Sequence, residues 1–138
     1  MYYAKRYGLQ PADRIIEPIF ETGFSKHHAI YLGMDRFGVE WVSENFKFYG
    51  VRQVKASEFF SDSKNYRVQP FTGNDFERKS AVNRALGKLG TPYDLLSFNC
   101  EHYASYVQTG KEESIQVTNA LGILFFTFLF GLALSNQK

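Results

Sequence analysis

The chain has 138 residues, 44% of them hydrophobic, which is enough for one domain with a real core and leaves little room for a second. A net charge of +2, with lysines and arginines scattered rather than striped, leaves no footprint for nucleic acid. A single cysteine forbids an internal disulfide, one Cys and three His (His27, His28, His102) do not make the paired ligand spacings of a metal site, and nothing calls for a cofactor.

No basic stretch followed by an apolar one opens the chain, so the expected location is reducing and cytoplasmic. Met1 to Gln10 is polar and aromatic. Arg14 to Phe20 predicts a short strand in which Pro18 points to an edge or a bulge. Gly23 to Lys26 has the composition of a loop. His27-His28-Ala29-Ile30-Tyr31-Leu32-Gly33 is the clearest strand, Met34 to Gly38 a turn, and Val39 to Asn45 the returning partner of a hairpin. Further strands are expected at Gly50 to Val54 and Tyr66 to Phe71, with a helical turn at Ser57 to Phe60 between them. The sheet is thus antiparallel and the fold class α+β.

Asn74 followed by Glu77 is a capping signature. Phe76, Val82, Leu86 and Leu89 suggest the apolar stripe of a helix that runs to Gly90. Thr91 and Pro92 end it. Asn99 is then a good N-cap, Cys100 to Thr109 has no helix breaker, and Gly110 stands where a C-cap belongs. The only cysteine therefore opens a helix, where unpaired N–H groups and the positive end of the macrodipole favour thiolate over thiol.

Three histidines could serve that thiol. His102 lies two residues along the helix, about 200° round, and points away. His27 and His28 face opposite sides of the sheet, so at most one of them can meet Cys100. If Gly33 pairs with Gly38, Glu44 falls opposite His27, Val42 opposite Ala29 and Glu40 opposite Tyr31. A carboxylate there can hold the imidazole in one tautomer; a slip by one residue brings Asn45 to the same place.

Together, the His27 to Gly33 strand and Asn99-Cys100-Glu101-His102-Tyr103 resemble the two signature motifs of the lecithin retinol acyltransferase family, a permuted branch of the NlpC-type papain-like thiol enzymes. Pro11-Ala12-Asp13-Arg14-Ile15-Ile16-Glu17 is similar to the Pro-Gly-Asp-Leu-Ile-Glu opening of that domain, and Gly90 to Asp94 to the segment before the nucleophile. The resemblance spans roughly residues 8–110. It implies Cys100 as nucleophile and His27 as base. Where many members carry a second histidine on the returning strand, this chain offers Glu44, Asn45 or Glu40. The implied chemistry is acyl transfer or hydrolysis through a thioester on Cys100, with a lipid as the acyl donor. A thiol peptidase or amidase, and a binding module with a decayed site, are the alternatives.

The remaining segment divides the chain into an enzyme domain over residues 1–113 and a tail over 114–138. Ala120 to Leu134 is an apolar run of 15 residues, and no charge interrupts Thr118 to Gln137. At 1.5 Å per residue the run measures about 22 Å, and its uncharged flanks extend it towards the roughly 30 Å of a bilayer core. Being apolar on every face, it reads as a membrane-anchored tail in preference to a helix packed in the protein or between two copies. Oligomeric state leaves no mark on the sequence.

Overall fold

The computed structural model describes residues 2–18, 26–62 and 65–135, with side chains to residue 132. Its elements run α1 (Tyr3–Tyr7), β1 (Arg14–Pro18), β2 (Lys26–Met34), β3 (Glu40–Phe46), β4 (Gly50–Lys55), α2 (Ala56–Phe59), β5 (Arg67–Gln69), α3 (Asp75–Gly87), α4 (Cys100–Thr109) and α5 (Ile115–Ser135). The five strands form one antiparallel sheet in the order β4-β3-β2-β1-β5. This is the expected α+β class.

Alternation along β2 splits the core in two. Ile30 packs with Phe71, Ala81, Ala85, Tyr103 and Val107 under α3 and α4. Ala29 and Tyr31 pack on the opposite face with Ile15, Val42, Val54 and Phe60, beneath α1 and α2. Both sheet faces are covered, so β2 lies at the centre of the molecule.

Several sequence expectations shift here. The N-terminal helix α1 was not foreseen; a carboxylate far along the chain supplies its cap, because Glu40 accepts the N–H groups of Tyr3 and Ala4, each at 2.7 Å. Strand β1 is internal rather than an edge. Pro18 is tolerated because β5 pairs only with residues 14–16, so its missing N–H faces no β5 partner. Lys26 belongs to β2, and the rest of the expected Gly23 loop, with Ile19 and Phe20, lies outside the described residues. The predicted stripe of α3 is also displaced: Phe76, Leu86 and Leu89 are exposed, while Ala81 and Ala85 are fully buried. Small residues let α3 lie close to α4, whose Val107 carbonyl accepts two bonds from Arg84.

The hairpin register differs as well. Ala29 pairs with Glu44 and Tyr31 with Val42, two residues from the expected alignment, and a bulge separates Tyr31 from Gly33. Gly33 has φ +104°, and a Cβ there would stand 3.1 Å from Pro11 Cγ, so both the backbone and the close approach of Pro11 call for glycine at the bulge. A slip of two keeps every side chain on its expected face. Next to that contact Ala12 has φ 71°, a left-handed conformation that explains why the resembled motif carries glycine at this position.

The loop before the cysteine is tied to the free side of β4. Val51 exchanges backbone bonds with Thr91 and Gly90, both 2.8 Å, and Asn45 Nδ2 donates to the Phe98 carbonyl at 2.7 Å. These bonds fix where α4 begins.

Candidate active site

Helix α4 starts at Cys100 as its local sequence demands. Asn99 Oδ1 accepts the N–H groups of Glu101 and His102, and Gly110 closes the other end in a left-handed conformation. His102 completes a capping box by accepting the Asn99 N–H through Nδ1 at 3.2 Å. It is buried and structural, and it leaves the thiol to other partners.

Cys100 is buried, with Sγ 3.8 Å from the Lys26 carbonyl at the start of β2. His27, the next residue, lies beside it. His27 Nε2 is 2.5 Å from Glu44 Oε2, although the two residues are diagonal rather than opposed in the ladder. Glu44 is held in turn by Arg52, whose Nε and Nη2 donate to Oε1 at 2.9 and 2.7 Å. Arg52 itself lies over the rings of Phe46 and Tyr49. Thiol, imidazole, carboxylate and guanidinium thus form one line.

The electrostatics follow. Burial disfavours a charged His27, but hydrogen bonding and charge from Cys100 and Glu44 outweigh it and raise the imidazole to about 10. Burial also opposes the Glu44 charge, yet His27 and Arg52 together hold its carboxyl below the usual range. At neutral pH the site therefore favours an imidazolium clamped to a carboxylate.

Of the three residues weighed as partners for His27, only Glu44 touches it. Glu40 is committed to α1 and to the Tyr31 hydroxyl at 2.9 Å, and Asn45 faces the other side, bonded to Phe98. Tyr31 is buried away from the thiol, whereas Tyr93 lines the cleft. Arg52 escaped the sequence reading. Its signal was the β4 position directly opposite Glu44, visible only once the register is known. Glu101 was also missed: its carboxylate accepts Ser114 Oγ at 2.6 Å and the Gln116 N–H at 3.0 Å, so it anchors the first turn of α5.

A cleft of about 280 Å³ runs from Cys100, Asn99 and Tyr93 between Leu95 and Leu96 on one side and Val117, Ala120, Leu121 and Leu124 of α5 on the other. Helix α5 is long and apolar enough over Ile115–Leu132 to cross a membrane, and none of that window is buried inside the protein. Among the described residues no cluster of His, Cys, Asp or Glu could hold a metal ion.

An antiparallel sheet with a histidine strand ahead of a helix that opens on the cysteine is the papain-like arrangement in permuted order. Residues 9–107 match the permuted papain-like amidase enzymes, the YaeF/YiiX or C92 family, and the chain belongs to that family. It is therefore a papain-like thiol hydrolase of the amidase kind. The match supports the permuted papain-like superfamily named by the sequence motifs; it does not extend to their lecithin retinol acyltransferase subfamily. Comparison with curated proteins returns no match.

Proposed function

We propose that the protein cleaves an acyl group from a lipid ester or amide through a thioester on Cys100, and passes it to water or to an acceptor amine or alcohol. The observation that carries this reading is the cleft that joins Cys100 to the apolar surface of α5. A fatty chain lying along Leu121 and Leu124 would bring its carbonyl to the sulfur, and α5 would hold the domain at the bilayer that supplies it.

The chemistry follows from the line of four residues. Cys100, as thiolate, attacks the carbonyl. The cap takes the N–H groups of Glu101 and His102, which leaves that of Cys100 to stabilise the oxyanion. The His27 imidazolium gives its proton to the leaving alcohol or amine as the C–O or C–N bond breaks, leaving the thioester. Neutral His27 then takes a proton from water or the acceptor, which attacks the thioester carbonyl and releases the thiolate. Glu44 fixes the imidazole and compensates its charge, and Arg52 positions Glu44. This complete line argues against a decayed binding module.

The test is mass spectrometry of the full chain in detergent after exposure to long-chain ester and amide donors. An acyl adduct on Cys100, absent in Cys100→Ser, is the expected result. Turnover of peptide amides with no adduct from either lipid donor would favour the second reading, a peptide or small-molecule amidase, to which the family assignment lends support.

A further inference from the structure

On the face of β2 opposite His27, a second cavity of about 330 Å³ opens beside the cleft. Arg14, Lys26, His28 and Arg67 line it, together with Glu101, Gln116 and Asn119. Three cationic side chains thus face one carboxylate, and that carboxylate is already engaged by Ser114 and Gln116. His28 is only 4% exposed, and neither of its ring nitrogens has a partner among the described residues; Arg14 Nε is equally buried and unpartnered. Buried polar groups are nearly always satisfied, so this cluster lacks a partner. Arginine and lysine can only donate, and a neutral imidazole donates once and accepts once. What the set lacks is an acceptor bearing negative charge. Burial and the neighbouring Arg14 keep His28 neutral, which leaves it able to offer one N–H beside the permanent cations.

We propose that this cavity binds a phosphate-type anion through Arg14, Lys26, His28 and Arg67, and that it forms the headgroup subsite of the acyl cleft. Lys26 and Gln116 border both cavities, so a phosphate in one and a carbonyl at Cys100 can belong to a single molecule. The headgroup role rests on the lipid reading above; the anion site does not. A free phosphate or phosphomonoester presents the same chemistry as a lipid phosphate, and the experiment separates them.

The full chain in neutral detergent is titrated with inorganic phosphate while the His28 ring is followed by nitrogen NMR. A saturable shift is expected, and the double variant Lys26→Gln/Arg67→Gln should weaken it by about tenfold or more, since two charge-assisted contacts are lost. Arg14 is left in place because its Nη2 also holds the Glu101 carbonyl at 3.0 Å. Absence of saturation, or the same affinity in the double variant, overturns the site. Micelles containing phosphatidic acid should displace the phosphate where diacylglycerol micelles do not; failure to displace overturns the headgroup role and leaves a soluble phosphate compound as ligand. Binding is also measured in Cys100→Ser, which forms no acyl-enzyme. Intact phosphate binding without acylation of the native chain then strikes only the lipid-cleavage reading, and acylation without phosphate binding strikes only this site.

Discussion

His27 and His28 are neighbours on β2, yet His27, on the Ala29 side, is held charged by hydrogen bonds to Glu44 and to the Cys100 sulfur that reaches the start of the strand, while His28, on the Ile30 side, is kept neutral by burial and Arg14. The same side chain is driven in opposite directions by one step along a strand. Burial penalises the imidazolium at both positions, so desolvation cannot be what separates them. What separates them is what surrounds each ring: hydrogen bonds from Cys100 and Glu44, reinforced by charge, at His27, and the positive charge of Arg14 and Lys26 against Glu101 at His28. A strand at the centre of a two-faced core can therefore carry an ionised dyad and a cationic pocket back to back.

The largest effect should come from breaking the charged side. His27→Ala is expected to lower turnover by on the order of 10⁴-fold and to slow alkylation of Cys100 by iodoacetamide at neutral pH. Glu44→Gln keeps the shape but not the charge and should cost roughly 10²-fold. Glu40→Gln should leave turnover alone and weaken the α1 cap by about 1 kcal/mol. His102→Gln preserves the capping-box geometry and should alkylate at the native rate. Equal alkylation rates in His27→Ala and His102→Gln would remove His27 from the site, and a larger loss in Glu40→Gln than in Glu44→Gln would remove Glu44.

Much of this site was legible because its chemistry is local. Asn99, Cys100 and Gly110 announce a capped helix from within a dozen residues, and Asn74 with Glu77 does the same for α3. The choice of His27 over His28 needed only strand alternation and the motif. The exact ladder was not legible, because the bulge at Gly33, where Pro11 from outside the hairpin packs closely, has no strong local signature; the isolated glycine in the strand was its one trace. The contact between Glu44 and His27 survives the two-residue slip because a carboxylate reaches diagonally and an even slip preserves the face. The α3 stripe misled because bulky residues were weighted over alanines, while close helix packing here selects the small ones. Distant anchors such as Arg52 on Glu44, or Glu101 on α5, become visible only when the chain is folded.

A gentler test titrates both histidines. The raised His27 contributes stability that is complete below its ordinary value of 6.5 and is lost as pH climbs through about 10. The lowered His28 works the other way: its contribution is present above 6.5 and is lost as pH falls below that value, because only the unfolded chain readily takes the proton. Each limb has a slope of up to about 1.4 kcal/mol per pH unit. Thermal midpoints should therefore decline on both sides of neutrality; His27→Ala should flatten the alkaline limb, and His28→Gln the limb between pH 6.5 and 5. A single variant that flattened both limbs would show that the two rings titrate as one unit.

The smallest effect is expected from the tail. Gln116 joins the two faces through the first turn of α5, since its Oε1 accepts the Lys26 N–H at 3.3 Å and its N–H reaches Glu101 at 3.0 Å. A chain ended at Val117 keeps both bonds, and the window Ile115–Leu132 that it cuts is not buried inside the protein. Its stability should change by less than about 0.5 kcal/mol, as for other exposed positions, and Cys100 should alkylate within a factor of two of the native rate. The full chain should sediment with vesicles and the shortened one should not, while cleavage of long-chain donors should fall because Leu121 and Leu124 no longer wall the cleft. Unfolding on truncation would mean that α5 belongs to the core, and the apolar cleft would then be a packing seam rather than a path to the sulfur.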